Sequence, residues 1–220
     1  MLIAAAPIGG LHTWRTRELR MLRSTTFLTL DGVMQAPGGP GEDEEGGFSK
    51  GGWSVNFFDD EVGEAMDTFM SVPFDLVLGR KTYDIFAAYW PNASPEDAAK
   101  PLNAATKYVA SRGRPNLSWE RSVLLEGDVA QAVASLKQED GPELQVHGSG
   151  DLLQTLIREG VVDEFQLLVF PVLVGSGKRL FAQGTVPASL KLIESRVSPS
   201  GVFIGRYQPA SELVTGTFGA

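Results

Sequence analysis

Three short apolar runs in this 220-residue chain each break into a turn rich in glycine, hydroxyls and fixed positive charge. Phe74-Asp75-Leu76-Val77-Leu78 leads into Gly79-Arg80-Lys81-Thr82. Lys107-Tyr108-Val109-Ala110 leads into Ser111-Arg112-Gly113, and Leu144-Gln145-Val146-His147 into Gly148-Ser149-Gly150. A helix that starts after such a turn presents free N–H groups and partial positive charge, a ready site for phosphate. Two cations at a helix start oppose that dipole, and a phosphate would compensate them. Arg80 offers a fork of donors, Lys81 a point charge and Thr82 a hydroxyl. Ser111 with Arg112 suits a ribose 2′-phosphate, where a site for the unphosphorylated dinucleotide places an acid. Gly148 and Gly150 permit close backbone approach, and Asp151-Leu152 opens the next helix. Each turn also has a plainer reading: solvated cations, a polar turn, and glycines used for geometry alone.

Other residues could complete a site. Asp31 and Asp59 are candidate acids, although an Asp before Gly32 commonly makes a turn and Asp59 stands where a helix cap would. Trp53 and Phe57, with Phe58, could line a pocket for a flat ring or pack beneath the preceding loop. Gly175-Ser176-Gly177-Lys178 is not a P-loop, because Val172 and Arg179 replace the required glycine and hydroxyl. No G-x-G-x-x-G occurs in the chain.

The elements that must carry these residues follow from periodicity. Met21 to Leu30 favours a strand, ended by Asp31-Gly32. Residues 35 to 52 form a long flexible loop, with Glu42-Asp43-Glu44-Glu45 and seven glycines from Gly38 to Gly52. Asp59 to Met70 has an Asp start and apolar residues at helical spacing. Strand 74–78, helix 81–88, strand 107–110, strand 122–125, helix 128–138, strand 143–147, helix 150–158 and strand 163–170 follow. Such alternation predicts an α/β domain with a largely parallel sheet. Leu190 to Val197 and Val202 to Tyr207 flank Ser198-Pro199-Ser200-Gly201, predicting an antiparallel hairpin. The domain is therefore expected over residues 21–210, with 211–220 a weakly structured tail. Residues 1–20 read as a disordered or misassigned leader, with a genuine N-terminal extension as the alternative.

Composition bounds the function. The chain is 43% hydrophobic and 21% charged, with a formal net charge of -8. That field repels nucleic acid and anionic membrane, so an anionic ligand must be held by local cations. No cysteine and two histidines leave neither a thiol nucleophile nor a Cys- or His-rich metal site, so no metal is expected. No apolar stretch approaches the roughly 20 residues that span a bilayer. A cytoplasmic location is the default expectation.

The motifs resemble those of dihydrofolate reductase and of the reductase domain of bifunctional riboflavin-biosynthesis deaminase-reductases. Leu78-Gly79-Arg80-Lys81-Thr82-Tyr83, Val109-Ala110-Ser111-Arg112 and Val146-His147-Gly148-Ser149-Gly150 resemble the segments that hold NADPH in the former. Thr29-Leu30-Asp31-Gly32, and Asp163-Glu164-Phe165 through Pro171-Val172-Leu173-Val174-Gly175-Ser176-Gly177-Lys178-Arg179-Leu180-Phe181, resemble the latter. The likeness spans roughly residues 21 to 209 and is closest to stand-alone proteins that carry this reductase domain without the deaminase. It implies a three-layer dihydrofolate reductase-like fold, NADPH as cofactor, a small heterocyclic substrate and a homodimer. The nearest family reaction is the 5-amino-6-(5-phosphoribosylamino)uracil reductase step of riboflavin biosynthesis. A true dihydrofolate reductase and a cofactor-binding protein without efficient catalysis stand as alternatives. In dihydrofolate reductase a single acid follows the active-site Trp at short spacing; here the residue five after Trp53 is Phe58.

Overall fold

The computed structural model describes residues 19–94 and 99–219. The expected leader therefore lies outside the described residues, except for Leu19 and Arg20. Eight strands form one sheet: β1 (Leu22–Thr29), β2 (Phe74–Gly79), β3 (Lys107–Ala110), β4 (Ser122–Leu124), β5 (Glu143–His147), β6 (Glu164–Phe170), β7 (Ala188–Val197) and β8 (Phe203–Glu212). Their order is β4-β3-β2-β5-β1-β6-β8-β7. The first six are mutually parallel, and β8 and β7 close the sheet antiparallel. This is the expected α/β architecture with its C-terminal hairpin.

Alternating side chains divide the core into layers. Val77, Leu144, Val146 and Leu167 face α4 (Val129–Lys137) and α5 (Gly150–Arg158). On the opposite face, Leu168 and Phe170 meet α1 (Asp60–Phe69), while Leu76 and Leu78 meet Tyr83 of α2 (Arg80–Tyr89) and Leu102 of α3 (Ala99–Ala104). With helices on both faces, the central parallel strands β1, β2, β5 and β6 are buried on both sides. Among the described residues, no helix is long and apolar enough to cross a membrane.

Two features differ from the sequence reading. The sequence reading places no helix between 81–88 and 107–110, whereas the structure has α3 there, with Pro101 inside it. The hairpin also extends past Tyr207, because β7 and β8 stay paired out to Ala188 and Glu212 across two irregularities.

The Asp163-Glu164 pair stitches the sheet to its neighbours. Asp163 accepts from the Leu22 N–H at 2.7 Å and pairs with Lys137 of α4 at 2.6 Å. Glu164 takes a two-pronged contact from Arg206 of β8, at 3.0 and 3.1 Å. The six parallel strands all run the same way, so their carboxyl ends open on one side of the sheet, where α/β folds bind ligands.

Candidate active site

A cleft of about 2050 Å³ opens above the carboxyl ends of β2, β3, β4 and β5. The turns after β2 and β5 are stitched together at its centre. The Gly79 N–H donates to Ser149 Oγ at 2.9 Å, and the Ser149 N–H donates to Thr82 Oγ1 at 3.1 Å. Ser149 is held left-handed, at φ 58° and ψ 52°, directly after Gly148 at φ +60°. A non-glycine residue there is strained, and such strain persists only where neighbours over-determine it. The result aims the starts of α2 and α5 into one cleft. A Cβ on Gly79 would lie 3.4 Å from Ser149 Cβ and Oγ, and one on Gly150 would lie 3.2 Å from Met34 Sδ. The two turns thus approach each other closely at the centre of the cleft.

Gly79, Arg80, Lys81, Thr82, Ser111, Arg112, Gly148, Ser149, Gly150, Asp151 and Leu152 all line this cleft. Their surroundings separate them. Arg80 reaches both oxygens of Asp84 at 2.7 Å, one turn along its own helix. Ser111 Oγ accepts from the Gly113 N–H at 3.2 Å and shapes the turn that presents Arg112. Arg114 is a further cation on this rim, 3.3 Å from Glu126, which sequence reasoning passed over.

Lys81 is bound by the acidic loop. Its Nζ lies 2.6 Å from Asp43 and 2.8 Å from Glu45, and Lys178 Nζ meets the same two carboxylates at 2.8 and 2.6 Å. Burial alone would raise the Asp43 carboxyl, but hydrogen bonds from Lys178 and Lys81 outweigh it and lower it to about 2. The Gly175-Ser176-Gly177-Lys178 segment thereby straps the loop after β1. The Lys178 N–H donates to Gln35 Oε1, and its carbonyl accepts from the Met34 N–H.

The other half of the cleft lies between α1 and α2, over β1 and β5. Phe27, Phe58, Met66, Met70, Phe86 and Trp90 form its walls, and Thr25 and His147 line its floor. Of these residues, sequence reasoning named Phe58 alone as a pocket candidate. A signal was present: Glu143, Gln145 and His147 alternate with apolar residues along β5, and Glu164 and Gln166 do so along β6. Strands buried on both faces should read as continuous apolar runs.

Asp31 and Asp59 lie outside the cleft lining, and so do Trp53 and Phe57. Both acids are engaged by hydrogen bonds from turns and a helix start. Asp31 accepts from the Thr29 hydroxyl at 2.6 Å and from the Gly175 N–H at 2.8 Å, and these contacts hold its carboxyl below the usual range. Asp59 caps α1 through the Val62 N–H at 3.0 Å and accepts from the Ser200 N–H at 2.8 Å. Burial would raise Asp59, but these N–H groups and the Ser200 and Ser198 hydroxyls outweigh it and bring it to about 2. Trp53 donates to the Gln35 carbonyl at 2.8 Å and packs edge-on against Phe170. Phe57 packs beside it, and Phe58 alone of the three faces the cleft.

The Asp59 value carries an expected outcome. A folded pKa below the unfolded one contributes stability that is complete above the ordinary carboxylate range and is lost as pH falls towards about 2. Asp59→Ala should therefore lower the melting temperature at neutral pH, with the gap to the parent closing in acid. Thermal melts across pH measure this; an unchanged neutral melting temperature would refute it.

The sequence profile of the RibD C-terminal domain matches residues 20–204. The "uncharacterized protein YyaP" of Bacillus subtilis (strain 168) is 28% identical over 179 residues, covering 80% of this chain and 87% of its own. The structure resembles a putative riboflavin biosynthesis protein from Shewanella sp. PV-4, with a TM-score of 0.67 at 20% identity over 86% of this chain and 99% of that one. It also resembles dihydrofolate reductase from Enterococcus faecalis complexed with NADP(H), with a TM-score of 0.53 at 14% identity over 86% and 96% of the two chains. At such identities the structural likenesses carry the fold, while the profile spans nearly the whole domain: the chain belongs to the RibD C-terminal reductase-domain family, on a dihydrofolate reductase-like fold.

Proposed function

We propose that this protein is an NADPH-dependent reductase of a small heterocyclic substrate. One observation carries the reading: the starts of α2 and α5 and the Ser111-Arg112 turn converge on one cleft whose other half is walled by rings. Gly148 to Leu152 would receive the pyrophosphate on backbone N–H groups, with Thr82 beside them. Ser111 and Arg112 would take the 2′-phosphate, with Arg80 and Lys81 as further cations. When bound, NADPH supplies a hydride to the substrate ring. The chain's own part is orientation and exclusion of water, with the strapped loop over residues 35–45 as the lid. Asp31 and Asp59 act through the loops they fix.

Absence of cysteine suits a reducing compartment, and we place the protein in the cytoplasm. A homodimer is supported by the edge strand β7, whose Leu190, Leu192, Ile193 and Val197 stand exposed.

Fluorescence titration with NADPH and NADH tests the cofactor assignment. NADPH should bind at micromolar levels and more tightly than NADH; if neither binds there, the reductase reading fails. A second reading, a cofactor-binding protein without efficient catalysis, is favoured by the ring half of the cleft: its described walls and floor hold no carboxyl group. Cofactor binding with no NADPH oxidation across pyrimidine, dihydrofolate and quinone panels would select it.

A further inference from the structure

The floor of the ring pocket has a fixed hydrogen-bonding polarity. On β5, Gln145 Nε2 donates to the Phe69 carbonyl and to Glu143 Oε1, both at 2.7 Å. Both partners are pure acceptors, so the amide cannot be reversed. Gln145 Oε1 must then face His147 Nε2, 2.9 Å away, and that nitrogen must carry the proton. Burial keeps the ring neutral, lowering its pKa to about 4. A neutral imidazole protonated at Nε2 has an unprotonated Nδ1, a hydrogen-bond acceptor.

A second chain repeats this logic one strand away. Gln166 Nε2 donates to Glu164 Oε1 at 3.3 Å, which turns Gln166 Oε1 towards Thr25. The Thr25 hydroxyl donates to it at 2.7 Å, so Thr25 Oγ1 keeps its lone pairs as acceptors. Both chains are anchored at carboxylates held by arginine: Glu143 by Arg23, and Glu164 by Arg206. Thr25 and His147 are register partners on neighbouring strands, whose backbones lie roughly 5 Å apart.

Charge is arranged differently. The described cations lining the cleft are Arg80, Lys81, Arg112, Arg114 and Lys178. Arg80 and Lys81 open α2, in the half of the cleft given to the cofactor, and Lys178 is paired with Asp43 and Glu45. Arg112 and Arg114 follow β3, which β2 separates from β5 and which lies about 10 Å from it at ordinary strand spacing.

We infer that the ring pocket takes a planar, uncharged heterocycle with two adjacent hydrogen-bond donors on one edge, read by Thr25 Oγ1 and His147 Nδ1, and without a phosphate. This deepens the reductase reading, on which it rests, and sets the substrate apart from the phosphoribosyl pyrimidine of the nearest family reaction. Thr25 and His147 are thereby specificity-determining residues.

Calorimetry on the intact protein tests it without turnover. Pterin, whose ring N–H and amino group form a donor pair, should bind about 10-fold more tightly than 3-methylpterin, which lacks one donor. In a Thr25→Val/His147→Phe double variant that difference should shrink to about 2-fold, as expected once both acceptors are gone. 5-Amino-6-(ribosylamino)uracil should bind at least as well as its 5-phosphate. Equal binding of the two pterins by the parent protein would overturn the inference, as would failure of every ring to bind. A phosphate ester bound about 10-fold more tightly than its phosphate-free partner would also overturn it, since that gain requires a charged hydrogen bond in the pocket. The parent-protein arms decide the matter even if the double variant does not fold. NADPH titration is read separately, so loss of cofactor binding sinks the reductase reading while the ring measurements stand alone.

Discussion

Arg112→Ala should weaken NADPH about 10- to 30-fold and leave NADH within about 2-fold. Only NADPH carries the 2′-phosphate, and a hydrogen bond from a guanidinium to phosphate is among the stronger polar contacts. Arg112 stands exposed on the turn after β3, so solvent and salt screen it, which holds the expected loss to the lower part of the range for charged hydrogen bonds. Arg80→Ala should cost less, because Arg80 is already bound to both oxygens of Asp84 and must leave them to reach a ligand. The two affinities, each measured by fluorescence at low and at physiological salt, separate these expectations. The Arg112 effect should diminish as salt rises. Equal losses for NADPH and NADH would contradict the 2′-phosphate assignment, because the residue would then be contacting something common to both.

How much of this was legible in the sequence depended on whether a contact is local. β2, β3 and β5 were readable because short apolar runs stop at glycine and hydroxyl turns, and Asp59 marks the helix it caps. The turns at Gly79 and Gly148 were legible as strand-to-helix junctions, since a βα junction is specified within a few residues. The stitch between them, from Ser149 to Gly79 and Thr82, joins residues about 70 positions apart and leaves no local trace. Lys81 illustrates the same limit. Its type and position suggested a free phosphate ligand, but Asp43 and Glu45 come from a loop whose placement is set by the distant Lys178 strap. Asp31 and Asp59 were ambiguous because an acid beside a turn looks the same whether it faces a ligand or a backbone N–H. The pocket floor was hidden for another reason. Its polarity is decided by the orientation of Gln145 and Gln166, and amide orientation depends on partners drawn from α1, β1 and β6.

Glu164 links that floor to the stability of the fold, and its removal is the largest stability effect expected here. Glu164 is 1% exposed and holds Arg206 in a two-pronged contact, with Arg23 Nε 3.5 Å from the same carboxylate. Burial alone would raise its carboxyl, but the Arg206 guanidinium, and then Arg23, outweigh that and lower it. Glu164→Ala leaves two guanidinium groups short of a counter-charge inside the sheet, and breaking a buried pair from one side costs about 3–5 kcal/mol. Arg206 keeps Glu194 at 3.1 Å and Arg23 keeps Glu143, so the expected loss is about 3 kcal/mol, the low end of that range. Urea unfolding at neutral pH measures it. Since the folded pKa lies below the unfolded one, the contribution is present above the ordinary carboxylate range and is lost as pH falls through the folded value. The gap between parent and variant should accordingly narrow in acid. Glu164→Gln separates the two roles of the side chain. It still offers an amide oxygen to Gln166 Nε2 but no charge to Arg206, so it should lose stability while keeping Gln166 oriented. In Glu164→Ala the Gln166 amide is free to reverse, and Thr25 then loses its fixed direction. Recognition of a donor edge should weaken in Glu164→Ala and survive in Glu164→Gln, whereas stability should fall in both. A loss of ring discrimination that simply tracked stability across the two variants would mean that the floor's polarity is not set by this chain of hydrogen bonds.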